Sequence, residues 1–294
     1  MDRSGHDGID PSLSEAISPD IAALVADLET HETGFFGPDS IMWRVSREKV
    51  LLLSGVSTIL LQFAHPLVAA GVAEHSRFDA SPIGRFRRTF DFVHAIIFGD
   101  ADAAIEAALT IREIHGQVTG TLEEDVGPFV AGERYAAATP ELLLWVHATL
   151  IDQALTAYET YVAPLPETEQ AEYYQESKVF GRLLGIPEEA YPETLADFYD
   201  YYERMLVEEL TVGTQGKKLQ RTLFRQGHVF GPLYAFLGAG TLPDSVRAEF
   251  QLPWSPRRQR IFEAVCALAR SVVRSLPARL RYVDAYRHAQ IRLQ

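Results

Sequence analysis

The chain has 294 residues, 47% hydrophobic and 23% charged, the composition of an ordinary folded protein long enough to bury a large core, which excludes a disordered or fibrous chain. Its 40 acidic residues against 27 basic give a formal charge of −13, so a nucleic-acid backbone is repelled, and no basic run with interleaved aromatics offsets that. Cys266 is the single cysteine, which excludes an internal disulfide framework, thiolate zinc clusters and cysteine-ligated iron–sulfur centres, and fits a reducing, cytoplasmic setting.

In chain order, residues 1–18 carry Asp2, Asp7 and Asp10 among Ser and Gly without an apolar core, so they read as a disordered tail and not as a signal peptide. Residues 19–294 read as one domain, because no Pro/Ser-rich linker or internal repeat divides them. Apolar stripes of period 3.6 recur, while sustained period-two alternation is missing, so the predicted fold class is all-α, a single multi-helix domain.

Helices are predicted over 21–31, 46–64, 66–75, 83–98, 101–119, 140–162, 167–184, 195–210, 217–226 and 256–276. The irregular stretch 120–139 is long enough to be a lid or a wall. Residues 50–72 contain no charged side chain and are long enough to cross a bilayer, but Ser54, Ser57, Thr58, Gln62, His65 and Pro66 favour a buried core helix. Contact of this stretch with a membrane surface is not favoured.

Most chemical signatures are missing: G-x-S-x-G, Walker A, G-x-G-x-x-G, H-E-x-x-H and C-x-x-C-H do not occur, and Glu113-Ile114-His115 and Glu74-His75 do not make the Glu-x-x-His pairs of a di-iron bundle. What remains is a set of histidines on apolar faces. His115 shares a stripe with Ala104, Ala108, Ile111 and Val118, which predicts an imidazole pointing inward. It is either a core histidine satisfied by a backbone carbonyl or an axial ligand to haem iron.

His147 repeats the pattern beside Leu143, Leu150 and Ala154, and His65 lies at a helix break, where a kink-stabilising hydrogen bond is the plainer role. His6, His31, His75, His94, His228 and His288 are expected at surface or cap positions. On the helix after Pro82, the stripe Phe86, Phe90, Val93 and Ile97 is flanked by Arg85, Arg88, Thr89 and Phe92. Each arginine must be solvated, paired with a carboxylate, or facing an anionic group such as a haem propionate.

Five segments occur in order: Gln62-Phe63-Ala64-His65-Pro66, Glu74-His75-Ser76-Arg77-Phe78, Arg85-Phe86-Arg87-Arg88-Thr89, Ile114-His115-Gly116-Gln117-Val118 and Trp145-Val146-His147-Ala148-Thr149-Leu150. Together they resemble the DUF2236 family of rubber oxygenases (latex-clearing proteins) and MpaB oxygenases, over roughly Phe35 to Ile291. The resemblance implies a globin-like helical core with a buried haem-sized pocket, haem b as cofactor, and His115 as the proximal ligand to iron. It places Arg85 and Thr89 near the haem, while His147 and His65 stand as the second and third candidates for the cofactor pocket by their own positions.

Where the family has a distal lysine this chain has Arg88, a permanent cation that can donate but cannot act as a base. The family's proposed catalytic glutamate has no counterpart near Ala69 and Ala70. The implied chemistry is insertion of dioxygen across the double bond of a hydrophobic, isoprenoid-like substrate. The missing base motivates an alternative, a non-catalytic haem or lipophile carrier. A cofactor-free helical scaffold with structural histidines is a third reading.

Overall fold

The computed structural model describes residues 10, 13, 17–28, 31–76, 82–226 and 231–294, without the side chains of Pro82, Ile83, Arg85, Phe86 and Gln226. Most of the predicted tail lies outside the described residues. The helices are α1 (Pro19–Ala26), α2 (Ile41–Ser46), α3 (Gly55–Ala64), α4 (Pro66–His75), α5 (Pro82–Phe98), α6 (Ala101–Gln117), α7 (Pro140–Tyr161), α8 (Glu167–Leu183), α9 (Leu195–Glu208), α10 (Thr214–Gln226), α11 (Gly231–Thr241), α12 (Asp244–Glu249), α13 (Pro256–Ser275), α14 (Ala278–Arg281) and α15 (Asp284–Arg292). The only strands among the described residues, β1 (Thr119–Thr121) and β2 (Arg134–Ala136), form one antiparallel pair. The fold is all-α, as the stripes predict.

Two departures are instructive. The helix predicted over 46–64 starts late: Ser46 is the end of α2, Glu48 is extended, and a 3-10 turn over Lys49–Ser54 leads into α3, which holds only the second half of the predicted span. Glu48 leaves the helical path because its backbone bridges Tyr282 and its carboxylate takes two hydrogen bonds from Arg281, at 2.8 and 2.7 Å. The second departure is the stretch 120–139, part of which is the hairpin. Tyr135 on β2 and Leu122 pack on Leu67 and Ala70 of α4, the Tyr135 hydroxyl donates to Glu74 at 2.6 Å, and His75 Nε2 lies 2.8 Å from the Thr119 carbonyl oxygen. These contacts fasten the hairpin to α4.

α3 and α4 meet at His65, whose extended backbone is what a residue before proline adopts. The turn and α3 together bend away from α4 by 105°, and no single described helix is long and apolar enough to cross a membrane. Ser57, Thr58, Leu60, Leu61, Phe63, Ala64, Ala69 and Ala70 are instead buried inside the protein.

α7 is the central helix, with Trp145, Ala148, Ile151, Leu155, Ala157 and Tyr161 buried around its circumference, as expected for a helix enclosed by others. It runs antiparallel to α3, fixed by Ser57 Oγ donating to Gln153 Oε1 at 2.5 Å and Gln62 Nε2 donating to Thr149 Oγ1 at 3.1 Å. Behind them Tyr202 of α9 donates to Asp152 at 2.9 Å, so a buried polar ladder sets the register of three helices. α5 joins through its C-terminus, where Trp43 Nε1 donates to the Ile97 carbonyl at 2.8 Å. α8 is tied to α2 by Glu176, which accepts from the Met42 and Ile41 amides at 2.7 and 3.3 Å.

Candidate active site

A cavity of ≈ 250 Å³ lies among these helices; with its open mouth the empty space comes to ≈ 1450 Å³. Its walls come from α2, the 3-10 turn, α3, α5, α6, α7 and α8, with Val283 closing it from the C-terminal segment. Phe63, Val93, Ile97, Leu150, Ile151 and Ala154 make much of the wall apolar. Such a lining keeps water out and raises the strength of any electrostatic interaction inside.

His115 lines this cavity from the last turn of α6. The expected stripe holds at its start, where Ala104 and Ala108 are fully buried, and opens toward its end, where His115 is half-buried among exposed Glu113, Ile114, Gly116 and Gln117. The imidazole therefore stands at the edge of the core and not in its centre. Thr89 of α5 is exposed on its outer side and also contributes to the cavity wall.

His147 lies deeper, at 4% exposure. Its Nδ1 is 2.8 Å from the Tyr191 hydroxyl and its ring stacks on Phe180 at 5.4 Å between centroids. Burial pushes its pKa down to about 3, so the ring is neutral at any ordinary pH. Gly181 makes this arrangement feasible: a β-carbon there would sit 1.5 Å from the Tyr191 hydroxyl oxygen and 2.8 Å from His147 Nδ1. With Nδ1 engaged, Nε2 is the only ring nitrogen left to meet a ligand.

The other candidates separate. His65 is 3% exposed, packs 5.2 Å from the Phe129 ring, and is not among the described residues lining the cavity. Its Nδ1 is buried without a hydrogen-bond partner, and burial lowers its pKa to about 4. Arg88 is exposed and likewise stands outside the cavity wall. The side chain of Arg85 lies outside the described residues.

His94, expected at the surface, instead lines the cavity one turn from Phe90 and Phe98, its ring 5.9 Å from each. Desolvation lowers its pKa, with nearby Asp91 opposing the shift. Positions 90, 94 and 97 are spaced four and three, so the stripe already contained it. Glu48, 1% exposed and paired with Arg281, also contributes to the wall. No local signal could have found it, since its partner is 233 residues away.

Among the described residues no group of three or more His, Cys, Asp or Glu side chains could hold a metal ion. The site offers single imidazoles in apolar surroundings, a donor set that suits a metal whose other ligands arrive with a prosthetic group better than a bare ion chelated by protein.

Comparison with known proteins points the same way. An uncharacterized protein of Mycobacterium bovis and one of Mycobacterium tuberculosis are each 30% identical over 243 residues, covering 78% of this chain and 91% of theirs. No solved structure matches the chain. Residues 43–271 match the family described as ER-bound oxygenase mpaB/B'/rubber oxygenase, catalytic domain, a span that holds every residue named on the cavity wall except Met42 and Val283. The helical cavity with its separate imidazoles is thus the interior of an oxygenase catalytic domain, and the chain belongs to the MpaB/rubber-oxygenase family.

Proposed function

We propose that this chain is a haem-b-dependent oxygenase acting on a hydrophobic, alkene-bearing small molecule, with His115 as the axial ligand to iron. The observation that carries the reading is that His115 from α6 and Thr89 from α5 border one apolar-walled cavity. Family membership supports dioxygen and a small-molecule substrate as the reactants. The donor set supports the cofactor: one axial imidazole is all a globin-type haem asks of its protein, because the porphyrin supplies four nitrogens.

When bound, the haem supplies the activation of dioxygen that oxidative cleavage of a carbon–carbon double bond requires. The chain's own part is to hold and shelter. His115 would bind the iron, Phe63, Val93, Leu150 and Ile151 would exclude water and pack an apolar chain, and Thr89 would offer a neutral hydroxyl at the rim. His147, held neutral by burial, adds no charge that would draw water inward.

Oxygen uptake by the haem-loaded protein with a panel of isoprenoid alkenes tests this function. The expected result is substrate-dependent uptake that disappears in His115→Ala. A second reading, a haem or lipophile carrier, is favoured by one observation: among the described residues the one carboxylate on the wall is Glu48, and it is already bonded to Arg281. Stoichiometric haem binding with no uptake on any alkene would establish the carrier instead.

A further inference from the structure

The cavity is elongated and its two ends differ. Along α7 its lining runs from Val146 to Ala154, and along α5 from Thr89 to Ile97. Each stretch is nine residues, eight helical rises and so a span of about 12 Å. The antiparallel register of α3 and α7, and the stacking of Phe180 on His147, put Gln62, Val146 and His147 together at one end. The ties of Trp43 to Ile97 and of Glu176 to α2 put Ser46, Glu48 and Tyr173 at the other.

That second end carries the Ser46 and Tyr173 hydroxyls and the one described carboxylate of the wall, where the first carries an amide and an imidazole. The Ser46 hydroxyl lies within hydrogen-bonding reach of the Tyr173 hydroxyl. The Glu48 carboxylate lines the same cavity, with Arg281 bonded to both of its oxygens and Arg47 Nε at 3.9 Å. A carboxylate has lone pairs to spare beyond two such bonds.

We infer that this end is a head-group subsite for an uncharged hydrogen-bond donor, so that the substrate is an amphipathic alkenol whose hydroxyl meets Ser46, Tyr173 and Glu48 while its apolar chain runs toward His115. The inference rests on the proposed function, since it concerns the substrate of the same cavity. Charge selects the head. Among the described residues no Lys or Arg lines the cavity, so a carboxylate or phosphate head would face Glu48 with no cation on the wall to neutralise it. An ammonium head would join two arginines gathered around a single carboxylate. A hydroxyl incurs neither penalty and can both donate and accept.

Binding of decenol, decene, decenoic acid and decenylamine, chains matched in extended length to the span, tests this by titration calorimetry on the haem-loaded protein. Decenol should bind about tenfold more tightly than decene, the equivalent of one well-made hydrogen bond, and more tightly than the acid or the amine. A paired Ser46→Ala, Tyr173→Phe variant should erase that preference while leaving decene affinity unchanged. Ala154→Phe, which fills part of the cavity without replacing a polar residue, should weaken decenol and spare shorter alkenols.

Equal affinity for decenol and decene, or a preference untouched by the paired substitution, would overturn the inference. So would a fall in decene affinity as large as that of decenol in the paired variant. Failure of the underlying function has a different appearance: the alcohol preference would persist while the protein binds no haem or consumes no oxygen.

Discussion

The two ends of the cavity are dehydrated by opposite means. At one end His147 is buried as a neutral ring, its nitrogen satisfied by Tyr191 and its face covered by Phe180. At the other, Glu48 is buried as a charge, and the guanidinium of Arg281 from the far end of the chain, with Arg47 at 3.9 Å, makes that tolerable. Burying a neutral imidazole needs one hydrogen bond and good packing, which neighbouring helices supply. Burying a carboxylate needs a partner of opposite charge, and α14 must close over the 3-10 turn to bring it.

The charged end should therefore be the more costly to break. Arg281→Met leaves Glu48 buried without its partner and should lower stability by about 3–5 kcal/mol in urea unfolding. Adding Glu48→Gln to that variant should restore much of the loss, because the stranded charge is gone. If both variants are equally unstable, packing of α14 and not charge pairing closes that end.

At the neutral end the effects should be smaller. Gly181→Ala drives a β-carbon into Tyr191 and His147 and should cost about 1–3 kcal/mol, the range for overpacking a core. Tyr191→Phe leaves His147 Nδ1 buried without its hydrogen bond and should cost about 1–3 kcal/mol by the same unfolding measurement. Wild-type stability in either variant would mean that the ring is not held as described.

The neutral end should also respond to pH. Burial depresses the folded pKa of His147 to about 3 and of His65 to about 4, below the ordinary 6.5. Above 6.5 both rings are neutral in either state, and stability is whole. Below it the unfolded chain takes up protons that the fold refuses, so stability falls as pH drops from about 6.5 toward 4, by about 1.4 kcal/mol per pH unit for each ring. Replacing His147 with Gln should remove that ring's share of the slope, about 1.4 kcal/mol per pH unit, whereas a slope unchanged by the substitution would assign the acid sensitivity elsewhere.

How much of this was legible in the sequence follows the same division. Helices α4 to α8 stand within two residues of their predicted limits, because proline, glycine and apolar spacing act locally. His94 is also a local feature, since it falls in the stripe of α5 at positions 90, 94 and 97, although its expected place is the surface. The break at Glu48, the reach of Arg281 and the clearance that Gly181 gives Tyr191 depend on contacts between distant segments, which no local pattern records. Five helices, α2, α11, α12, α14 and α15, lie outside the predicted spans but for Ser46 at the end of α2: α2, α12 and α14 are only six, six and four residues long, and α11 contains three glycines.

The central claim is that His115 binds iron, and His147 provides its internal control, a second cavity imidazole whose Nδ1 is already engaged. The most direct measurement is the visible absorption spectrum of the protein expressed with haem precursor, recorded for wild type, His115→Ala and His147→Ala. The account predicts a Soret band in wild type that is lost or shifted in His115→Ala and retained by folded His147→Ala. No Soret band in wild type, or a band unchanged by His115→Ala, would contradict it.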